Sequence, residues 1–191
     1  MIKKQWLLIA TAASLLAGCA TTYLGSAKSD DPLGQLAKKR DALAQRGVLA
    51  AAARAESRDL QTGISKVELE TRGILTRAIE AKTSSLQKSF QDEVGSEFST
   101  HFASATKTVA SRILTGSFLQ EHFYQQADKN GNYQVYGLMV LDPEKFKAAL
   151  EAEMAAEKAM HDRFLASKAY AELKKEAEEY DQYKRDLGKI Q

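Results

Sequence analysis

Four sets of residues in this 191-residue chain have the types and spacing that could carry chemistry: three histidines, one Asp/Asn-rich turn, the short Ser/Gly and Gly/Lys runs, and a lone cysteine. The histidines stand at His101, His122 and His161. No two are four apart, so no helical face presents a pair of imidazoles to a metal. The run Asp128-Lys129-Asn130-Gly131-Asn132 matches the first three ligand positions of a calcium loop. It fails at the sixth position, where Tyr133 replaces the required glycine, and at the twelfth, where Met139 replaces the bidentate glutamate. The segment Gly116-Ser117-Phe118-Leu119-Gln120 lacks the second glycine of a nucleophile elbow. No Gly-Lys-Ser/Thr occurs to cradle phosphate. The carboxylates lie in Glu/Lys-rich runs that read as solvated helix faces. These patterns point away from an enzyme, a metal site or a cofactor, and leave Cys19.

Cys19 is the only cysteine and follows a short apolar run. Lys3 and Lys4 precede Trp6 to Leu16, eleven residues without charge. That pattern is a secretory signal. As a helix the run would rise about 16 Å against a hydrocarbon core of about 30 Å, too short to span it. The signal closes on Leu16-Ala17-Gly18-Cys19, which resembles the lipobox of bacterial lipoproteins. The resemblance implies cleavage between Gly18 and Cys19, a diacylglycerol on the Cys19 sulfur and acylation of the new amino group. Two or three acyl chains anchor stably where one does not. The covalent lipid on Cys19 is the only non-protein group expected, and the chain is left with no thiol for a disulfide framework.

Cleavage changes the charge. The whole chain has 27 basic and 25 acidic residues, and loss of Lys3 and Lys4 leaves 25 of each. A neutral mature chain offers no basic footprint for nucleic acid. The partners expected are the membrane, through the lipid, and a second copy or another envelope protein.

The elements that must position any site divide the chain into a signal at 1–18, a lipidated flexible tether at 19–34, a domain at 35–165 and an amphipathic helical extension at 166–191. A composition that is 44% hydrophobic supports a modest core. Leu33, Leu36 and Leu43 give the segment 33–46 one apolar helical face. In "GVLAAAARAES", from Gly47, the alanines favour a helix. Residues 59–94 repeat apolar positions every three or four residues through Leu60, Ile64, Val67, Leu75, Leu86 and Phe90, despite Gly63 and Gly73. Gly95 reads as the end of that helix and Ser96 as the N-cap of the next, whose face is Phe98, Phe102, Ala105, Val109 and Ile113.

The period then shifts. "SFLQEHFYQQ" and "NYQVYGLMVLD" are strand-like, and Asn130-Gly131 between them predicts a β-hairpin with positive φ at both residues. Asp142-Pro143-Glu144 opens a helix. With no Gly or Pro before Gly188, the spacing predicts one helix to about Leu187. Phe146, Leu150, Met154, Met160 and Phe164 form one stripe on it. Tyr170, Leu173, Ala177, Tyr180 and Leu187 form another, rotated by more than 90°, and constitute a candidate partner surface. Intermolecular burial is the expectation for that second stripe. A break near Ser167 that folds the tail back onto the domain is the alternative.

The segments "GVLAAAARAES", "ATKTVASRILTGSFLQEHFY" and "GNYQVYGLMVLD" together resemble the Lpp-twenty family of bacterial outer-membrane lipoproteins over residues 47–142. The recurring pattern falls on Leu114, Gly116, Asp128, Gly131, Tyr133 and Val135. The resemblance implies a strand in place of a helix at the alanines. It implies an α+β fold: a small antiparallel sheet, made of an N-terminal strand and a C-terminal hairpin, packed by two or more helices. It implies no enzyme activity and no cofactor. Some members build flagellar disks at the outer membrane and others are surface antigens. Ala20, where an inner-membrane-retained lipoprotein has aspartate, points to the outer membrane of a Gram-negative bacterium, facing the periplasm. Two roles follow: a structural or assembly lipoprotein, flagellar association included, or an anchored binding or regulatory module acting on an envelope enzyme.

Overall fold

Strand β3 (Tyr133–Val140) is the middle of a three-stranded antiparallel sheet of order β1-β3-β2, with β1 (Ala50–Ser57) and β2 (Leu119–Gln126) on its two sides. The computed structural model describes residues 31–126 and 131–189. Signal, Cys19, most of the tether, Asp128 and Asn130 therefore lie outside the described residues. Within them the fold is α+β, with six helices: α1 (Pro32–Ala44), α2 (Leu60–Val94), α3 (Ser96–Thr115), α4 (Pro143–Met154), α5 (Lys158–Ala166) and α6 (Lys168–Gly188).

Helices cover both faces of β3, which explains its continuous apolar run. Val135 and Met139 turn to the α2 side, where Val135 packs with Ala53 and Val67. Tyr136 and Leu138 turn to the α1 side, against Leu36. The alanine segment is a strand and not a helix, because two helices approach it from opposite faces and only small side chains fit between them. Ala51 and Ala53 are buried toward α2, while Ala50 and Ala52 pack on the α1 side. Pairing with β3 overrides the helix propensity of alanine.

Beyond the sheet, α2 turns to helical company. Phe90 stacks on Phe102 of α3 with ring centroids 4.3 Å apart, and Phe164 of α5 lies 5.8 Å from Phe102. Phe146, Leu150, Met154 and Met160 join the same core, as the first stripe predicted. Gly95 ends α2 at φ 89° and is also the N-cap of α3. Ser96 is thus the first helical residue, one place inside its expected cap.

The tail departs most from expectation. The helix predicted from Pro143 to Leu187 is three helices. Asp142 caps α4 by accepting from the Glu144 N–H at 3.0 Å. Ser167 has extended backbone, and its Oγ accepts from the Tyr170 N–H at 3.2 Å, so α6 starts anew. Lys168 N–H donates to Glu93 at 2.8 Å and fixes that corner to the end of α2. The second stripe consequently folds back. Leu173, Ala177 and Tyr180 are at most 5% exposed and Tyr170 is half-buried. Leu173, Ala177 and Tyr180 are covered by this domain and not left open as the expected partner surface. Leu187 alone of the stripe remains open, at 44%. Helix α6 packs on α2, α4 and α5, so the described part of the extension joins the domain and does not stand apart from it.

Candidate functional site

The residues nominated from sequence do not meet in one place. Gly131 has φ 81°, as the hairpin requires, while its expected companion Asn130 lies outside the described residues, as do Gly18 and Cys19. His101 and His122 are exposed and His161 is half-buried, on α3, β2 and α5. Among the described residues no three His, Cys, Asp or Glu side chains are grouped to hold a metal.

A different arrangement stands out where β2 begins. Leu119 pairs with Met139, and the next pair is Glu121 with Leu138. One residue, Gln120, is therefore extra. A β-bulge of this kind re-aims side chains and is common beside sites. Its consequence here is concrete. Leu119 faces the α2 side, while Glu121, two residues on, faces α1 and pairs with Lys39 at 2.5 Å. Gln120 turns to a cleft of about 410 Å³ between the ends of α3, β3 and α4 and the side of α6. Ile113, Val140 and Leu141 supply its apolar wall, and Phe118, 69% exposed, stands at the lip.

The polar groups come from three elements. Gln120 and Tyr180 both line the cleft. Asp142, the α4 cap, uses Oδ1 for both of its backbone contacts and also lines the cleft, with Lys145 one turn along. Tyr180 is held from behind: Leu43 and Val48 pack with it, Tyr183 stacks at 6.3 Å, and the Lys184 ammonium sits 4.8 Å over its ring. Burial, and after it the Asp142 carboxylate, pushes the Tyr180 phenol above its ordinary value. Near neutral pH it is therefore an un-ionised hydrogen-bonding group and not a base. This arrangement can bind and orient a molecule. It holds no nucleophile paired with a base.

A second polar cluster is structural. The Lys82 ammonium of α2 is shared by Glu172 and Glu176 of α6, with Lys82 and Glu176 each only 14% exposed at the side chain. Burial raises the Glu176 carboxyl above its ordinary value, and Lys82 opposes that shift. Gly47, at φ 75°, lies against Glu176, where a Cβ would come within 2.8 Å of Cγ. A third feature is a groove of about 550 Å³ along α2 and α3. The hydroxyls of Thr76, Thr106 and Thr115 in it donate to carbonyls of their own helices, so those polar atoms are already engaged.

Sequence reasoning named Tyr180 only for its stripe and Asp142 only as a cap, and missed Gln120 and Lys145. No motif flags them, because a bulge and a tail that doubles back bring them together. Comparison of the chain with known protein families, with curated proteins and with solved structures gives no match. The likeness to the Lpp-twenty family therefore rests on its motif residues alone.

Proposed function

We propose that this chain is a lipid-anchored, non-enzymatic protein of the bacterial cell envelope, carried at the outer membrane by acyl groups on Cys19, with its α+β domain in the periplasm. The observation that carries this reading is the ordered set of Lys3-Lys4, an uncharged run from Trp6 to Leu16, and Leu16-Ala17-Gly18-Cys19. Among the described residues no helix is long and apolar enough to cross a membrane. Cys19→Ser is expected to abolish incorporation of labelled palmitate and to move the protein from membrane to soluble fractions. Equal labelling of variant and parent would refute the anchor. In a density gradient the parent is expected with outer-membrane markers, since Ala20 follows the cysteine. Co-migration with inner-membrane markers refutes that placement.

Within this frame the role is contact. The reading as an assembly protein, flagellar or otherwise, rests on the family resemblance; the α6 stripe no longer adds to it, since Leu173, Ala177 and Tyr180 are buried within the domain. The cleft at Gln120 and Tyr180 favours the second reading, an anchored binding or regulatory module.

A further inference from the structure

We propose that the cleft at the β2 bulge is a binding site for a neutral, polyhydroxylated ring, a saccharide. The inference deepens the reading of the domain as a binding module, and does not depend on whether Cys19 is acylated.

Three features that are each ordinary alone converge here. A single exposed aromatic such as Phe118 needs no explanation, nor does a capping aspartate, and bulges occur at many sheet edges. Together they make a concave site of about 410 Å³, within the range of roughly 300–1,000 Å³ in which small molecules bind. It has an apolar wall, an aromatic lip and five polar side chains, of which Ser117 already donates to the Leu114 carbonyl, leaving Gln120, Asp142, Lys145 and Tyr180.

The chemistry of those four selects the ligand class. Asp142 and Lys145 carry opposite charges on one rim, so an anion meets the carboxylate and a cation meets the ammonium. Neither sign of ligand charge has the site to itself. A hydroxyl suits both, because it donates to a carboxylate and accepts from an ammonium. Gln120 and Tyr180, which both line the cleft, each donate and accept, so a ligand hydroxyl can bond to either in either sense. Ring sugars present such hydroxyls along an edge while keeping a flat face of C–H groups. Phe118 offers that face an exposed ring, and Ile113, Val140 and Leu141 add apolar lining. The site is preorganised, since Tyr180 is fixed by Leu43, Val48, Tyr183 and Lys184 and Gln120 by the bulge.

The test is equilibrium dialysis of the full chain in a polyoxyethylene detergent, because sugar-headed detergents would compete. The probes are radiolabelled diacetylchitobiose, cellobiose and maltose, with alanyl-alanine as the zwitterionic comparator. The expected result is saturable one-to-one binding of at least one disaccharide, with a dissociation constant on the order of 1 mM or tighter. Phe118→Ala and Gln120→Ala, both at exposed positions, should each weaken it about tenfold while the thermal melt stays unchanged. Tyr180→Phe keeps the ring and its packing and should weaken binding similarly. Failure of all three disaccharides to bind overturns the proposal. So does binding that the variants leave intact, or preferential binding of the dipeptide. Palmitate labelling of Cys19 is read separately, so loss of the anchor reading and loss of the saccharide reading cannot be confused.

Discussion

Near its start α2 lies against a sheet, and past its middle it lies against other helices, and the two stretches are held by opposite means. At the sheet, contact depends on missing side chains. A Cβ on Gly63 would stand 2.6 Å from Val135 Cγ2, and one on Gly137 of β3 would stand 2.6 Å from Val67 Cγ1. Each glycine lets a valine side chain of the other element sit directly on its backbone. At the other end contact depends on large side chains. Leu86 and Phe90 are fully buried, and Phe102 and Phe164 complete an aromatic stack. Gly73, between the two stretches, meets nothing within 4 Å. The same residue type in the same helix thus has a packing role at 63 and none at 73.

The largest effect is expected where the helical end loses its outer layer. Stopping the chain after Ala166 removes α6, and with it Ala169, Leu173, Ala177 and Tyr180 from the core. Loss of one buried leucine-sized side chain costs ~2–5 kcal/mol, against a total stability of ~5–15 kcal/mol for a typical domain. A chain lacking residues 1–19 and ending at Ala166 should show no cooperative melt. If it melts within a few degrees of its untruncated counterpart and only loses oligomers in sedimentation, α6 is an assembly surface after all. Next in size is Phe102→Ala, which opens the aromatic stack and should cost ~3–5 kcal/mol in urea denaturation. A loss below ~1 kcal/mol would mean that the stack is not the centre of the core.

The two glycines give smaller effects of opposite sign. Gly63→Ala forces a methyl into Val135 and should destabilise by ~1–3 kcal/mol. Gly73→Ala adds a methyl in open space on a helix and should stabilise by up to ~1 kcal/mol. Equal shifts of the two urea midpoints in the same direction would break the contrast.

The same contrast explains what was readable in the sequence. Large residues at helical spacing announced the helical end, and Phe90, Phe102, Phe146 and Leu150 lie in the core as their spacing indicated. Alanines and glycines announce nothing by themselves. Residues 50–57 have helix-favouring composition and form a strand only because β3 pairs with them and two helices confine them. In the tail the break at Ser167 had one legible sign, the rotation between the two apolar stripes, since a straight helix cannot turn both faces onto one domain. What covers the second stripe was not legible, because it depends on where α2 and α4 stand in space. The cleft was least legible of all. A one-residue bulge leaves no mark in "SFLQEHF", and Gln120 is 60 residues from Tyr180.

The smallest effect concerns the charge clamp that ties α6 to the helical end of α2. Burial raises the Glu176 carboxyl above its ordinary value near 4.5, with Lys82 pulling the other way. In the folded chain this group therefore holds its proton to higher pH than in the unfolded chain. Between the ordinary value and the raised one the folded state binds more protons, so stability falls as pH rises through that window. The contribution is complete below about pH 4.5 and is lost as pH passes the raised value. Glu176→Gln keeps the shape and removes the titration. Urea midpoints of parent and variant between about pH 4 and 7 should show the parent's advantage shrinking as pH rises, then levelling. Asp59, Glu93 and Asp181, whose carboxyls are lowered by hydrogen bonds from Thr62, Lys168 and Lys184, titrate in both proteins and cancel in the difference. An advantage that grows with pH would mean that attraction to Lys82 outweighs desolvation. The clamp would then be a net electrostatic tie, and the helical end would be held by charge as well as by bulk.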